Sequence, residues 1–548
     1  MRHAALLSLC TLAFAAKDGS AAEPPFDAAA TRTELQRLVD EWPIPGLAVA
    51  IVSKDAPLFE AGFGERSVGG ARDPVDEHTI FKINSMTKAM GATLIGMLSD
   101  SGAMQFDEPV SAHLPWFQLH DSWVSQQVRI SDLLTHRTGV FCNDWLDDVP
   151  HVTWEEGVRR QRFMPQTTPF RTQFNYCDWM YGAASLAATA AAANGSWDRA
   201  LASRILEPLG MRRTYTEIGD VVEARGLTAC HECELVGGPV DPASVTKVPN
   251  VAVPHVDVNG TLQATTWRRM ASRGASSVLS SAHDVGLFLQ LYLRDGKAAG
   301  KQLISSAALR QILEPRIMTK LDGGPPDLPG FAAAHQRSRS WDLGYGYGWH
   351  AGRYGDERIA WHGGSSLGFE SQMLLLPDRG IGFVVLVNYN HANRGVVDAA
   401  TMSVLDRVLG LPPLDWAAFH KARTRQQSAS ADERLSRLIA SPEVQPAESI
   451  VAGIVGSYCS PAYGTLHVRR ERGGDLRLDQ GPERWGKLSS LADGTFVVRW
   501  NGPRNQPRAV AFRFAADAGA TSVSIGGSEF ERCGTVPPQV TGTNVRSQ

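Results

Sequence analysis

The run from Ser85 to Leu98 constrains the fold more than any other part of the chain. It is rich in Met, Ala, Leu and Ile and free of Pro, so it reads as a helix buried on most of its sides. Such a helix needs a large core around it. At 548 residues the chain can supply one and is too long for one ordinary domain, so one large and one smaller domain are expected.

The surrounding pattern is mixed. Apolar residues at helical spacing over 29–42 (Leu35, Leu38, Val39, Trp42) stop at Pro43 and Pro45. Gly46–Ser53 follows as an apolar strand and Leu58–Phe63 as a second. Helices are predicted over 196–208, 282–295 and 395–409, and the stretch 341–388 alternates apolar residues with Gly and turn residues as sheet strands do. Within it Phe383–Val387 reads as a fully buried strand. Helices grouped apart from an antiparallel sheet imply an α+β, three-layer α/β/α architecture rather than a regular βαβ series.

After Gly410 the composition changes. Residues 414–440 are polar and helical, Ser441–Glu448 is a Pro-containing joint, and 450–533 reads as short strands broken by Gly, a small all-β barrel. The expected divisions are a first domain over 26–410, a helical linker over 411–448, a barrel over 449–533 and a disordered tail over 534–548.

Met1-Arg2-His3 followed by the apolar run Ala4–Ala16, with small residues at Ser20 and Ala22, reads as a signal peptide over 1–22. That run is much shorter than the roughly 20 residues of a bilayer span, so export to a periplasmic or extracellular space is expected. Six cysteines then remain: Cys142, Cys177, Cys230, Cys233, Cys459 and Cys533. An even set in an oxidising compartment suggests disulfides, and the sequence does not choose among the connectivities. Cys230-His231-Glu232-Cys233 has no second CxxC or HxxxH beside it, which favours a local disulfide or free thiols over a metal site.

With 54 basic and 57 acidic residues, the net charge of -3 gives no bulk field for nucleic acid or an anionic membrane. No nucleotide-binding glycine fingerprint is present and the oligomeric state is not legible; the serine chemistry read below requires neither metal nor organic cofactor.

The chemistry concentrates where the buried helix begins. Phe81-Lys82-Ile83-Asn84-Ser85-Met86-Thr87-Lys88 sets a serine three residues before a lysine, on one helix face. A serine hydroxyl attacks well only when its proton is taken, and a partly buried lysine is able to help. The helix start adds free N–H groups and a positive dipole end for an oxyanion. Read alone, the pattern is equally a helix-capping serine and an exposed lysine. A second copy, Ser244-Val245-Thr246-Lys247, precedes Pro249 and Pro254 and is assigned to a loop.

Three further segments make the pattern specific. Phe174-Asn175-Tyr176-Cys177-Asp178-Trp179-Met180-Tyr181 resembles the Tyr-x-Asn element of the class C β-lactamase-like serine hydrolases. Trp361-His362-Gly363-Gly364-Ser365 resembles their third element, an edge strand written Lys-Thr-Gly in β-lactamases and often His-x-Gly in related esterases and peptidases. Ser131-Asp132-Leu133-Leu134-Thr135-His136-Arg137-Thr138-Gly139 is similar to their Leu-Leu-Thr-His loop, which makes His136 structural, and Ser280-Ser281-Ala282-His283-Asp284 matches a further landmark. The resemblance runs from about residue 30 to 410. The terminal module, from Gly456-Ser457-Tyr458 to Phe530-Glu531-Arg532, resembles the lipocalin-like barrel appended to many of these enzymes. A closed barrel would bring Cys459 beside Cys533.

The resemblance implies Ser85 as nucleophile, Lys88 and Tyr176 as its proton-transfer partners, and His362 helping Tyr176 to protonate the leaving group. It also implies an oxyanion pocket from the N–H groups of Ser85 and Ser365, with Asp178 and Gly364 lining it. Two positions depart from the β-lactamases. Asp178 replaces Asn, and a carboxylate only accepts hydrogen bonds. His362 replaces a permanently charged lysine, which favours esters, small amides or D-amino-acid peptides over penicillins. The implied substrate is a small ester, peptide or β-lactam. The alternative is a non-turnover penicillin-binding sensor or cell-wall fragment-binding protein.

Overall fold

The two most apolar strands, from opposite ends of the first domain, pair with each other. In this computed structural model, β1 (Gly46–Ser53) runs antiparallel to β7 (Ile381–Val387), with Ala50 opposite Val384. The structure describes residues 26–534 apart from 43, 70–71, 143–145, 147–151, 193–194, 223–245, 259, 266, 268–269, 320–327, 329, 339, 391–393, 427–441, 482–483, 501–506 and 516–518. The predicted signal peptide and the tail beyond 534 lie outside these residues, as do Cys230, Cys233 and Ser244.

β2 (Pro57–Gly64) pairs with β1, and the sheet continues from β7 through β6 (Phe369–Leu376), β5 (Glu357–Ser366) and β4 (His350–Tyr354) to β3 (Gly344–Tyr345). All pairings are antiparallel, so the seven strands form the sheet that the alternating pattern over 341–388 implied.

Both sheet faces are covered, which is why β1 and β7 are apolar nearly throughout and β6 is buried along its whole length, its polar Glu370, Ser371 and Gln372 included. On one face lie α1 (Ala28–Glu41) and α5 (Gly395–Val408), with Leu35, Leu38, Val397 and Leu405 in the core. The other face packs α4 (Ala282–Leu293) and, beyond it, α2 (Thr87–Asp100) and α3 (Asp178–Ala191). This is the expected three-layer arrangement.

Differences from the sequence reading have physical causes. The helix predicted from Ser85 starts at Thr87, because Asn84–Met86 forms a tighter 3-10 turn with Asn84 at φ 52°. The helix predicted over 196–208 is interrupted by a π-helical stretch at Ala202–Leu206, just before Pro208. In the predicted linker, residues 416–426 are helical and lie against the first domain. Trp416 there is buried and donates its indole N–H to Asp406 at 2.8 Å.

The terminal module is a closed barrel of eight antiparallel strands: β8 (Gly456–Ser460), β9 (Gly464–Arg470), β10 (Leu476–Asp479), β11 (Trp485–Leu491), β12 (Phe496–Trp500), β13 (Arg508–Phe514), β14 (Ala520–Ile525) and β15 (Ser528–Arg532). A helix, Glu448–Ile454, leads into it where a strand was expected. β8 pairs with β15 and closes the cylinder, and Cys459 and Cys533 are joined by a disulfide. Buried Tyr458, Leu466, Leu478, Val498, Val523 and Phe530 are part of the barrel's packed core. Among the described residues, no helix is long and apolar enough to cross a membrane.

Candidate active site

Ser85 sits in the 3-10 turn that opens α2, and Lys88 lies one helical turn further on. Asn84 holds the left-handed backbone that turns the chain from Phe81–Lys82 into the helix, a conformation Asn tolerates better than most residues. Asn84 is buried, with its amide Nδ2 3.4 Å from the carbonyls of Lys82 and Phe369. Thr87 secures the turn by donating to the Asn84 carbonyl at 2.7 Å.

Lys88 is fully buried. Its Nζ donates to Ser85 Oγ at 3.1 Å and to the Ala275 carbonyl at 3.1 Å, and lies 2.7 Å from Asp178 Oδ1. Two hydrogen bonds thus tie Nζ to Ser85 and to the Ala275 carbonyl, and the Asp178 carboxylate stands beside it as an ion-pair partner. Asp178 reaches Lys88 because it is the first residue of α3. Tyr176, two residues earlier, places its ring 4.7 Å from Lys88 Nζ. The Tyr176 side chain is 37% exposed, which opens it to an incoming molecule.

His136 stands beneath Tyr176, with ring centroids 4.4 Å apart. Its Nδ1 accepts the Cys177 N–H at 2.9 Å, and its carbonyl accepts the Asn175 N–H at 2.7 Å. Burial, then the nearby Lys88, His362 and His350, holds His136 well below the usual imidazole range. A neutral imidazole in this position is a support for the Tyr176 segment.

The third element arrives on β5. Gly364 has no room for a side chain: a Cβ there would lie 2.3 Å from the Ile83 carbonyl and 2.9 Å from Asn84 Cβ. The strand thereby runs directly against the turn carrying Ser85. β5 is an inner strand of the sheet, which corrects the expectation of an edge. The last β4 pairing is His350 with Trp361, so among the described residues His362–Ser366 has a strand neighbour on one side only. It is an edge where it meets the site.

His362 is buried on this stretch. Its Nδ1 lies 2.7 Å from the Gly363 carbonyl, an acceptor, so that nitrogen carries the proton. Its Nε2 then accepts from the Tyr345 hydroxyl at 2.9 Å. Burial, followed by His350 and Lys88, keeps His362 well below its usual range rather than near pH 6.5. It is neutral, with its proton already committed.

Ser365 accepts from Asn390 Nδ2 at 2.8 Å. Arg394 fixes the strand from behind, donating to the Gly364 carbonyl at 2.9 Å and the Ser371 carbonyl at 3.0 Å. The turn at Gly348 (φ 74°) comes against the helix at Lys88, where a Cβ would meet the Lys88 carbonyl at 2.7 Å. Lys247 of the second Ser-x-x-Lys copy donates to the Gly219 carbonyl at 2.7 Å and is exposed, with no role in this cluster.

Several participants were not found from the sequence. The Ala275 carbonyl, Tyr345 and the disulfide between Cys142 and Cys177 all stand at or behind the site. So does His350, whose Nδ1 is 3.0 Å from Asp342 Oδ1 and whose ring is 5.4 Å from that of His362. For Tyr345 the sequence signal is the Gly and aromatic alternation from Gly344 to Trp349, which marks strands and turns but not a partner for His362. Among the described residues, no group of His, Cys, Asp and Glu has a metal-binding arrangement.

Comparison with known proteins shows the family and the fold. The chain is 25% identical over 453 residues to the unguisins hydrolase of Aspergillus campestris, covering 79% of this chain and 76% of that protein. It is 28% identical over 373 residues to penicillin-binding protein 4 of Amycolatopsis lactamdurans, covering 66% and 86%. The solved octameric penicillin-binding protein homologue from Pyrococcus abyssi has the same fold, with TM-score 0.56 and 19% identity over 91% of this chain and 98% of that one. Residues 32–405 match the beta-lactamase family, and the chain belongs to this family of β-lactamase-like and penicillin-binding-protein-like serine hydrolases.

Proposed function

We propose that the protein hydrolyses ester or amide carbonyls through an acyl-enzyme on Ser85, as an esterase, a D-amino-acid peptidase or a β-lactamase-like enzyme. The observation that carries this reading is the buried Lys88 ammonium within 3.1 Å of Ser85 Oγ, held by Asp178 and overlain by Tyr176. In this mechanism Lys88 stays charged and Tyr176 takes the Ser85 proton as its phenolate, which the neighbouring ammonium stabilises.

The carbonyl oxygen becomes an oxyanion held by the N–H groups of Ser85 and Ser365, with Gly364 keeping the two segments in contact. Tyr176 returns its proton to the leaving group, and water releases the acyl chain by the reverse route. His362, neutral and bonded to Gly363 and Tyr345, takes the role of a fixed wall in place of the expected proton donor. No step calls on a cofactor.

The two relatives with printed functions support this range, one being named a hydrolase and the other a penicillin-binding protein. The second name also supports the alternative of a sensor that acylates and stalls. The disulfides Cys142–Cys177 and Cys459–Cys533 support an exported, periplasmic or secreted protein.

The test is turnover of a p-nitrophenyl ester panel and a chromogenic cephalosporin by wild type and Ser85→Ala, with intact mass recorded after mixing. Continuous Ser85-dependent release supports the hydrolase. A stoichiometric burst with stable added mass supports the sensor, and neither turnover nor added mass refutes both.

A further inference from the structure

Tyr176 poses a structural problem. A phenol that is 37% exposed is not held by close packing on all sides, yet the proposed chemistry needs it fixed against Lys88 and Ser85. Its ring lies against His136 at 4.4 Å and Lys88 Nζ at 4.7 Å, and the backbone beside it fixes where that ring starts. The next residue, Cys177, is 1% exposed, extended, and the N-cap of α3. At that position Ser, Thr, Asp or Asn usually caps the helix with its side chain, and Cys177 makes no such bond.

Its sulfur is instead bonded to Cys142, and its N–H is given to His136. Residues 136–142 thus grip the Tyr176 segment at four points: the His136 carbonyl on the Asn175 N–H, the Val140 carbonyl on Asn175 Nδ2 at 2.7 Å, His136 Nδ1 on the Cys177 N–H, and the disulfide. The gripping segment is itself anchored. Phe141 donates its N–H to the Pro165 carbonyl at 2.8 Å, and the neighbouring Met164 receives the Tyr463 hydroxyl of the barrel at 3.3 Å.

We infer that the Cys142–Cys177 disulfide is a positioning element for Tyr176, closing a brace that runs from the barrel at Tyr463 through Met164, Pro165 and Phe141 to the phenol. The inference rests on Tyr176 being the proton acceptor of the proposed reaction. Opening the bond leaves every group of the site present and removes the one covalent point that fixes the tyrosine's backbone.

Two paired variants test it, with Ala chosen because Ser at residue 177 would supply a new helix cap: Cys142→Ala with Cys177→Ala, and Cys459→Ala with Cys533→Ala. Both remove one disulfide, and only the first touches the Tyr176 segment. In the first, the residue-177 amide should exchange hydrogen at least about tenfold faster and kcat should fall at least about tenfold with KM within about twofold, as expected for a misplaced catalytic group. The acid limb of its kcat profile should also move. The second variant should keep wild-type exchange at residue 177 and wild-type kcat.

Unchanged exchange at residue 177 in the first variant overturns the inference, as does an equal loss of kcat in both. If wild type has no Ser85-dependent turnover, the hydrolase reading fails by itself and the exchange measurement still decides whether the disulfide holds the segment. Should the first variant not fold, the same readouts are taken on wild type titrated with dithiothreitol, with peptide mapping of which bridge has opened.

Discussion

The carboxylate of Asp178 lies 2.7 Å from the ammonium of Lys88, and Lys88 has no solvent exposure at all. In the proposed mechanism a buried charge pair of this kind bears on the reaction, because it biases which group beside Ser85 carries the proton. With Asp178 present, the charges of carboxylate and ammonium balance. Asp178→Asn leaves a net positive charge beside Tyr176, which favours the phenolate and moves its ionisation to lower pH. Were Lys88 the base, loss of the carboxylate would also make it easier to deprotonate. The acid limb of the kcat/KM profile is therefore expected to shift down by about one pH unit or more. A profile that coincides with wild type would show that Asp178 is not coupled to the base.

Gly364→Ala tests the contact between β5 and the nucleophile turn. The added Cβ would stand 2.3 Å from the Ile83 carbonyl and 2.5 Å from Ser371 Oγ. The carbonyl belongs to the backbone leading into Ser85 and does not swing aside, so the strand has to retreat. Ser365 retreats with it, and the oxyanion pocket of the proposed mechanism widens. Loss of one oxyanion donor costs about 10²–10³ in kcat, and a fall of that order is expected. Wild-type kcat in this variant would remove Ser365 from the oxyanion pocket.

Much of this site was legible because its parts are local. Ser85 and Lys88 share one helical turn, Tyr176 and Asp178 share one loop end, and His362 to Ser365 share one strand. Short motifs carry such groupings intact. What escaped is what folding brings from far away: the Ala275 carbonyl, 187 residues from Lys88, and Tyr345, which meets His362 across a turn of the sheet. Cys142 and Cys177 were visible as cysteines, but nothing local pairs them, whereas barrel closure gave a reason to pair Cys459 with Cys533. The fold followed similarly. The strands of the sheet were readable from alternation, while α3, buried and Ala-rich on nearly every side, has no stripe to mark it.

Burial of neutral histidines makes stability depend on acid. His255 and His420 are both depressed from 6.5 to about 4 by burial. Between those values the unfolded chain binds protons that the folded chain refuses. Stability is therefore complete above about pH 6.5 and falls as the pH drops toward 4. Each histidine contributes up to about 3 kcal/mol to that loss. His136 and His362, held well below their usual range, add to it in the same direction. Denaturant midpoints measured from pH 7 to pH 4 should fall steadily, and His420→Gln should flatten the slope. A midpoint independent of pH across this window would mean that these rings are solvated or paired in acid.

Tyr176→Phe separates the tyrosine's chemistry from its packing. The phenyl ring keeps the face against His136 and the place 4.7 Å from Lys88 Nζ, and only the hydroxyl is lost. If that hydroxyl takes the Ser85 proton, kcat falls by about 10²–10⁴, the usual contribution of a general base, while the melting temperature stays near wild type because the ring is partly exposed and its packing survives. Acylation should slow as much as turnover, since the same group acts in both halves of the reaction. Full acylation with slow release would instead place Tyr176 only in deacylation and return the first proton transfer to Lys88. In that case Asp178 would have to give up its hold on the ammonium when substrate binds, so Asp178→Asn would acylate faster than wild type.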